Sequence, residues 1–61
     1  MLKLEIKTGG AAFSEDDVLT YEGRYELARL LRKVAAQIET GDDGKYLMDS
    51  NGNRCGQWTL D

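Results

Sequence analysis

Sixty-one residues allow one domain, spanning 1–61, with a marginal core, since a chain this short buries only about 60% of its unfolded surface. A formal charge of −3, no histidine and one cysteine exclude an internal disulfide and a structural zinc site, and argue against the basic footprint of a nucleic-acid binder. No apolar run approaches the ~20 residues that cross a bilayer, and no signal-peptide core is recognisable, so no membrane association and a cytoplasmic location are expected.

Leu2 to Lys7 alternates strictly, with Leu2, Leu4 and Ile6 on one face and Lys3, Glu5 and Lys7 on the other, the pattern of a half-buried strand. Thr8 to Thr20 reads as a linker. Ser14 with Asp17 three positions later suggests an N-cap and one helical turn, and Phe13, the only large apolar residue before Val18, is expected to pin the linker to the core. From about Glu22 the period becomes helical: Leu27, Leu30, Leu31, Val34 and Ile38 form one stripe. Gly41 suits the helix C-terminus, and Asp42-Asp43-Gly44 makes a tight connection into a second strand.

Asn51-Gly52 between two apolar runs signals a β-hairpin. A two-residue loop there mixes charges into the apolar face. A three-residue loop, Ser50-Asn51-Gly52, pairs Asp49 with Asn53 and Met48 with Arg54, and gathers Tyr46, Met48, Gly56, Trp58 and Leu60 on the core side. Because a one-residue slip inverts every side chain, the second register is predicted, with Gly52 at positive φ in a type I turn followed by a bulge. Leu47 and Cys55 then fall on the outer face. The predicted fold class is α+β: β-α-β-β, one helix packed on a three-stranded sheet of order 1-3-2. The crossover is right-handed, and Trp58 on the central strand packs against Leu30, Leu31 and Val34.

Few residues carry chemistry. Asp49, Asn51 and Asn53 have the spacing of a calcium loop's start, but the glycine and the bidentate glutamate fall out of place, and turn rules explain all three. Glu15, Asp16, Asp17 and Glu22 cluster without a histidine or nucleophile; a solvated capping group is the plainer reading, and a metal-assisted hydrolase the weakest functional one. Gly9-Gly10 lacks the rest of a phosphate-binding signature. Arg24, Arg29, Arg32 and Lys33 lie along the helix among glutamates, as a solvated face would. Nothing near Cys55 predicts an activated thiolate. No catalytic residue, metal or cofactor is expected.

Ile6-Lys7-Thr8, Ala11-Ala12-Phe13, Glu26-Leu27-Ala28-Arg29-Leu30-Leu31, Gly41 and Asp49-x-Asn51-Gly52-Asn53-x-x-Gly56-x-Trp58 together resemble a group of very short proteins encoded by bacteriophages, prophages and plasmids. The resemblance spans nearly the whole chain. It implies a mobile-element context in a bacterial cell and no particular reaction. By analogy with phage accessory proteins it points to a non-enzymatic protein that binds a host or phage protein, including components of defence systems. Phe13, Glu15, Asp16 and Asp17 are the expected partner contacts, because loops on a rigid scaffold carry recognition. A homodimer is expected through the exposed sheet face, with Leu47 and Cys55 as its self-association residues, or through the unpaired edge of strand one or two. The alternative is a multimeric binder or sponge of a nucleotide signal, with anion contacts from Arg24, Arg29 and Arg54.

Overall fold

A computed structural model describes residues 1–61. Five strands and one helix follow in the order β1 (Leu2–Ile6), β2 (Ser14–Glu15), β3 (Val18–Leu19), α1 (Tyr21–Glu39), β4 (Gly44–Met48) and β5 (Arg54–Leu60). The class is α+β. β1, β5 and β4 form a three-stranded antiparallel sheet with β5 in the middle, and β2 and β3 form a separate two-stranded ribbon. That ribbon departs from the simple β-α-β-β expectation.

Each element has a local cause. In β1 the alternating apolar residues pair across β5, Leu4 with Trp58 and Ile6 with Gly56. The helix begins where the Thr20 hydroxyl accepts the Gly23 amide at 2.9 Å, satisfying an N–H that lacks an intrahelical partner, and Glu22 lies in the first turn, where the helix dipole favours an acid. At the other end Gly41 takes φ +96°. Its amide reaches the Ile38 carbonyl, and that of Asp42 the Gln37 carbonyl, a paired closure of the last turn that needs a left-handed residue.

The core is Phe13, Leu30, Val34, Leu47, Cys55 and Trp58, with Ile6, Ala12, Leu19, Leu27 and Ile38 packed against it. The Trp58 indole N–H donates to the Gln37 side-chain oxygen at 2.7 Å, so the central strand is tied to the helix by a polar bond as well as by burial. Leu31, expected beside Trp58, is exposed. It lies at the rim of the apolar stripe, past Leu27.

The β4–β5 hairpin follows the expected register near its turn and departs from it further down. Met48 pairs with Arg54, the Asp49 amide reaches the Asn53 carbonyl and the Gly52 amide the Asp49 carbonyl, and Gly52 has φ +79°. These are the features of a type I turn with a left-handed glycine after it. The ladder then shifts between Leu47 and Met48, so that Leu47 faces Gly56 and Lys45 faces Trp58. Cys55 is the extra residue of a bulge. The bulge inverts the faces of β4: Leu47 is 1% exposed and Tyr46 60%. Tyr46 and Met48 therefore stand outside, while Leu47 and Cys55, expected outside, are core.

Candidate functional site

The expected linker is a built structure. The Phe13 and Ser14 amides both reach the Gly10 carbonyl at 3.0 Å, and the Ser14 hydroxyl donates to the Thr8 carbonyl at 2.5 Å. Ser14 pairs with Leu19 and Glu15 with Val18. Between them Asp16 and Asp17 have φ of 51° and 64°, the double left-handed turn that suits a two-residue hairpin. Ser14 is thus a strand residue, and the capping role falls to Thr20.

A clamp fastens this ribbon to the helix. The Phe13 carbonyl accepts both the Thr20 amide at 2.9 Å and the Thr20 hydroxyl at 3.2 Å. The same hydroxyl caps the helix through Gly23. Gly23 itself is buried beneath that carbonyl; a Cβ there would lie 1.8 Å from the Phe13 oxygen. Phe13 is fully buried. The expectation that it contacts a partner is corrected accordingly: its ring anchors the ribbon from inside.

What the clamp presents is acidic and aromatic. Glu15, Asp16, Asp17, Val18, Tyr21, Glu22 and Tyr25 are all exposed, Tyr21 to 81% and Tyr25 to 76%. Tyr21 and Tyr25 are four residues apart, hence on one side of the helix, away from the apolar stripe. Sequence reasoning named the acids and missed Val18 and the tyrosines. The signal was present, because neither tyrosine falls on the Leu27-Leu30-Val34-Ile38 face.

The remaining expected site residues are dispersed or occupied. Arg29 grips the Glu26 carboxylate with two bonds, 2.6 Å from Nε and 3.0 Å from Nη2. Glu26 is nearly buried and also accepts the Ser50 amide at 2.5 Å. The bond from Arg29 holds the Glu26 carboxyl below its usual range against the opposing effect of burial, with Ser50 adding to it, and the Arg29 guanidinium is raised in turn. Arg54 lies 3.5 Å above the centroid of the Tyr46 ring, a cation–π contact. Arg24 is exposed and sits about 140° around the helix from Arg29. The three arginines of the anion-binding alternative are not gathered into one site.

Leu47 and Cys55 are buried, which corrects their assignment to a self-association face. The Cys55 thiol donates to the Leu47 carbonyl at 3.5 Å, and burial, with the Asp49 charge next, pushes its pKa up, so it is held as a neutral thiol. The Asp49 carboxylate turns onto its own loop, accepting the Asn51 and Asn53 amides at 2.9 Å each. Those bonds explain the calcium-like spacing as turn chemistry. Nowhere do three acidic or cysteine side chains converge as a metal site.

Three open depressions of about 200, 240 and 480 Å³ lie against β5, and Gln57 lines all three. The largest is formed by Asp43, Gly44, Lys45, Tyr46, Gln57, Trp58 and Thr59. No helix of the structure is long and apolar enough to cross a membrane. No family model, curated protein or solved structure matches this chain.

Proposed function

We propose that this chain is a phage or prophage accessory protein that acts by stoichiometric binding to a basic surface of a host protein, a component of bacterial defence being the class of target its resemblance suggests. The contact surface is the β2–β3 turn with the adjoining first turns of α1. The observation that supports this reading is the joint exposure of Val18, Tyr21 and Tyr25 beside Glu15, Asp16, Asp17 and Glu22, on a ribbon hydrogen-bonded to the start of α1. Tyrosines supply large contact area at low entropic cost, and interfaces are enriched in them. Carboxylates around them steer a cationic partner. No observation gathers Arg24, Arg29 and Arg54 for the nucleotide-binding alternative.

The test is affinity capture from a bacterial host with the wild-type chain and with two variants, Glu15→Gln/Asp16→Asn/Asp17→Asn and Tyr21→Ala/Tyr25→Ala. A captured protein is then made recombinantly and titrated by calorimetry across a salt series. The expected result is salt-weakened one-to-one binding, reduced at least tenfold by either variant with the thermal midpoint nearly unchanged. Salt-insensitive binding that both variants retain, or turnover of the captured protein at sub-stoichiometric amounts, overturns the reading.

A further inference from the structure

We infer that two copies of this chain pair antiparallel through the outer edge of β1, with Leu4 opposite Leu4 of the second copy. This inference does not depend on the acidic–aromatic surface.

β1 bonds only to β5 and leaves its other edge without a strand. Which backbone groups that edge offers follows from the ladder. The Lys7 amide reaches the Cys55 carbonyl at 2.7 Å and the Asp61 amide the Met1 carbonyl at 3.5 Å. Bonded and non-bonded positions alternate along an antiparallel pair. Met1, Lys3, Glu5 and Lys7 therefore aim their peptide groups at β5. Leu2, Leu4 and Ile6 aim theirs at the vacant edge.

Pairing two such edges must join those positions to one another, and the side chains between them choose the register. With Leu4 opposite Leu2 of the second copy, Lys3 meets Lys3. With Leu4 opposite Ile6, Glu5 meets Glu5. Like charges directly across a ladder destabilise it. With Leu4 opposite Leu4, each Lys3 meets Glu5 of the second copy, twice by symmetry, and Leu2 meets Ile6. All three outward positions then form pairs that exchange both backbone bonds. The segment Leu-Lys-Leu-Glu-Ile is self-complementary when reversed. The free edge of β4 is not, since pairing centred on Tyr46 sets Lys45 opposite the buried Leu47.

The apolar face agrees. Leu2 and Leu4 share a face with Trp58, yet remain 49% and 40% exposed. The two-fold axis of an antiparallel pair stands perpendicular to the sheet. Both helices therefore lie on one side of a six-stranded sheet, and the leucines of the two copies meet between them. The arrangement is isologous and closed, so it stops at two.

Sedimentation velocity from about 10 to about 500 µM suits so short an interface, which lies at the low end of interface sizes. The wild-type chain is expected to shift from monomer to dimer across that range. Lys3→Glu and Glu5→Lys each replace two attractions by two repulsions and should weaken the dimer about tenfold or more, while the double variant restores both attractions and should return to within about threefold of wild type. Neither residue contributes to the monomer core, and circular dichroism checks that each variant stays folded. As a second reading, the Leu4 amide, which has no partner in one copy, should exchange more slowly as concentration rises. A wild-type chain that stays monomeric, single variants that associate normally, or a double variant that fails to recover, overturns the inference.

Discussion

Gly23→Ala is the sharpest test of the clamp between the ribbon and the helix, because two effects of opposite sign meet there. Alanine in a helix interior is favoured over glycine by about 1 kcal/mol, so an unobstructed Gly23 would yield a more stable protein. The structure sets backbone atoms in the way: the added Cβ would lie 1.8 Å from the Phe13 oxygen, 2.5 Å from its carbonyl carbon and 2.7 Å from its Cα. Reaching ordinary contact, which begins at 3.4 Å, demands a separation of about 1.6 Å between helix and ribbon. Overpacking of this kind costs about 1–3 kcal/mol. The same movement strains the Thr20 cap, worth about 1 kcal/mol, and loosens the fully buried Phe13. After the propensity gain is subtracted, a net loss of about 1–3 kcal/mol remains. A domain of this length is held by only ~3–9 kcal/mol, so the loss is a large share of the total. Urea unfolding followed by the fluorescence of Trp58, buried in the core, should show the midpoint falling by about 2 M for a slope near 1 kcal/mol/M. Ala36→Gly, at an exposed position of the same helix, calibrates propensity alone. A Gly23→Ala midpoint at or above wild type would refute the placement of α1 beneath the Phe13 carbonyl.

Two further outcomes follow from other parts of the fold. Glu26 has a folded-state pKa below its ordinary 4.5, so its contribution is fully present above the unfolded value and is lost as pH falls through the folded one. Glu26→Gln should therefore destabilise by about 1–3 kcal/mol near neutrality and flatten the loss of stability below pH 4.5, measured by urea midpoints across pH. Gly52→Val should cost more than Ser50→Val in thermal midpoint, because a β-branched residue resists the positive φ at position 52; equal losses would contradict the turn.

The regular parts of the fold were legible in residue order. Strict alternation marked β1, the apolar spacing from Leu27 to Ile38 marked the helix, and Asp49 with Gly52 specified the turn. What escaped were the places where one residue breaks a period. The bulge at Cys55 has no sequence marker of its own. An unbroken ladder drawn from the correct turn therefore put Tyr46 inside and Leu47 outside. Burial of Leu47 beside Trp58 decided the matter in the folded chain. The β2–β3 ribbon escaped for another reason: its strands are too short to show alternation, and an Asp-Asp pair is a weak signal for a double left-handed turn beside Asn-Gly. The acids of the interaction surface were visible as a run. The tyrosines emerged only once the ribbon was seen fastened to the first turns of α1.

The position of β5 at the centre of the sheet bears on how the chain folds in time. The β4–β5 hairpin and the α1 segment before it close over short stretches of chain, whereas β1 meets β5 across nearly its full length, Leu2 with Leu60. Closing that long loop is a late and entropically demanding step. The helix and hairpin can collapse onto Trp58 first, and β1 then docks onto a surface already in place. Contacts made by β1 are then absent from the rate-limiting state, so substitutions such as Ile6→Val should speed unfolding while leaving the folding rate almost untouched.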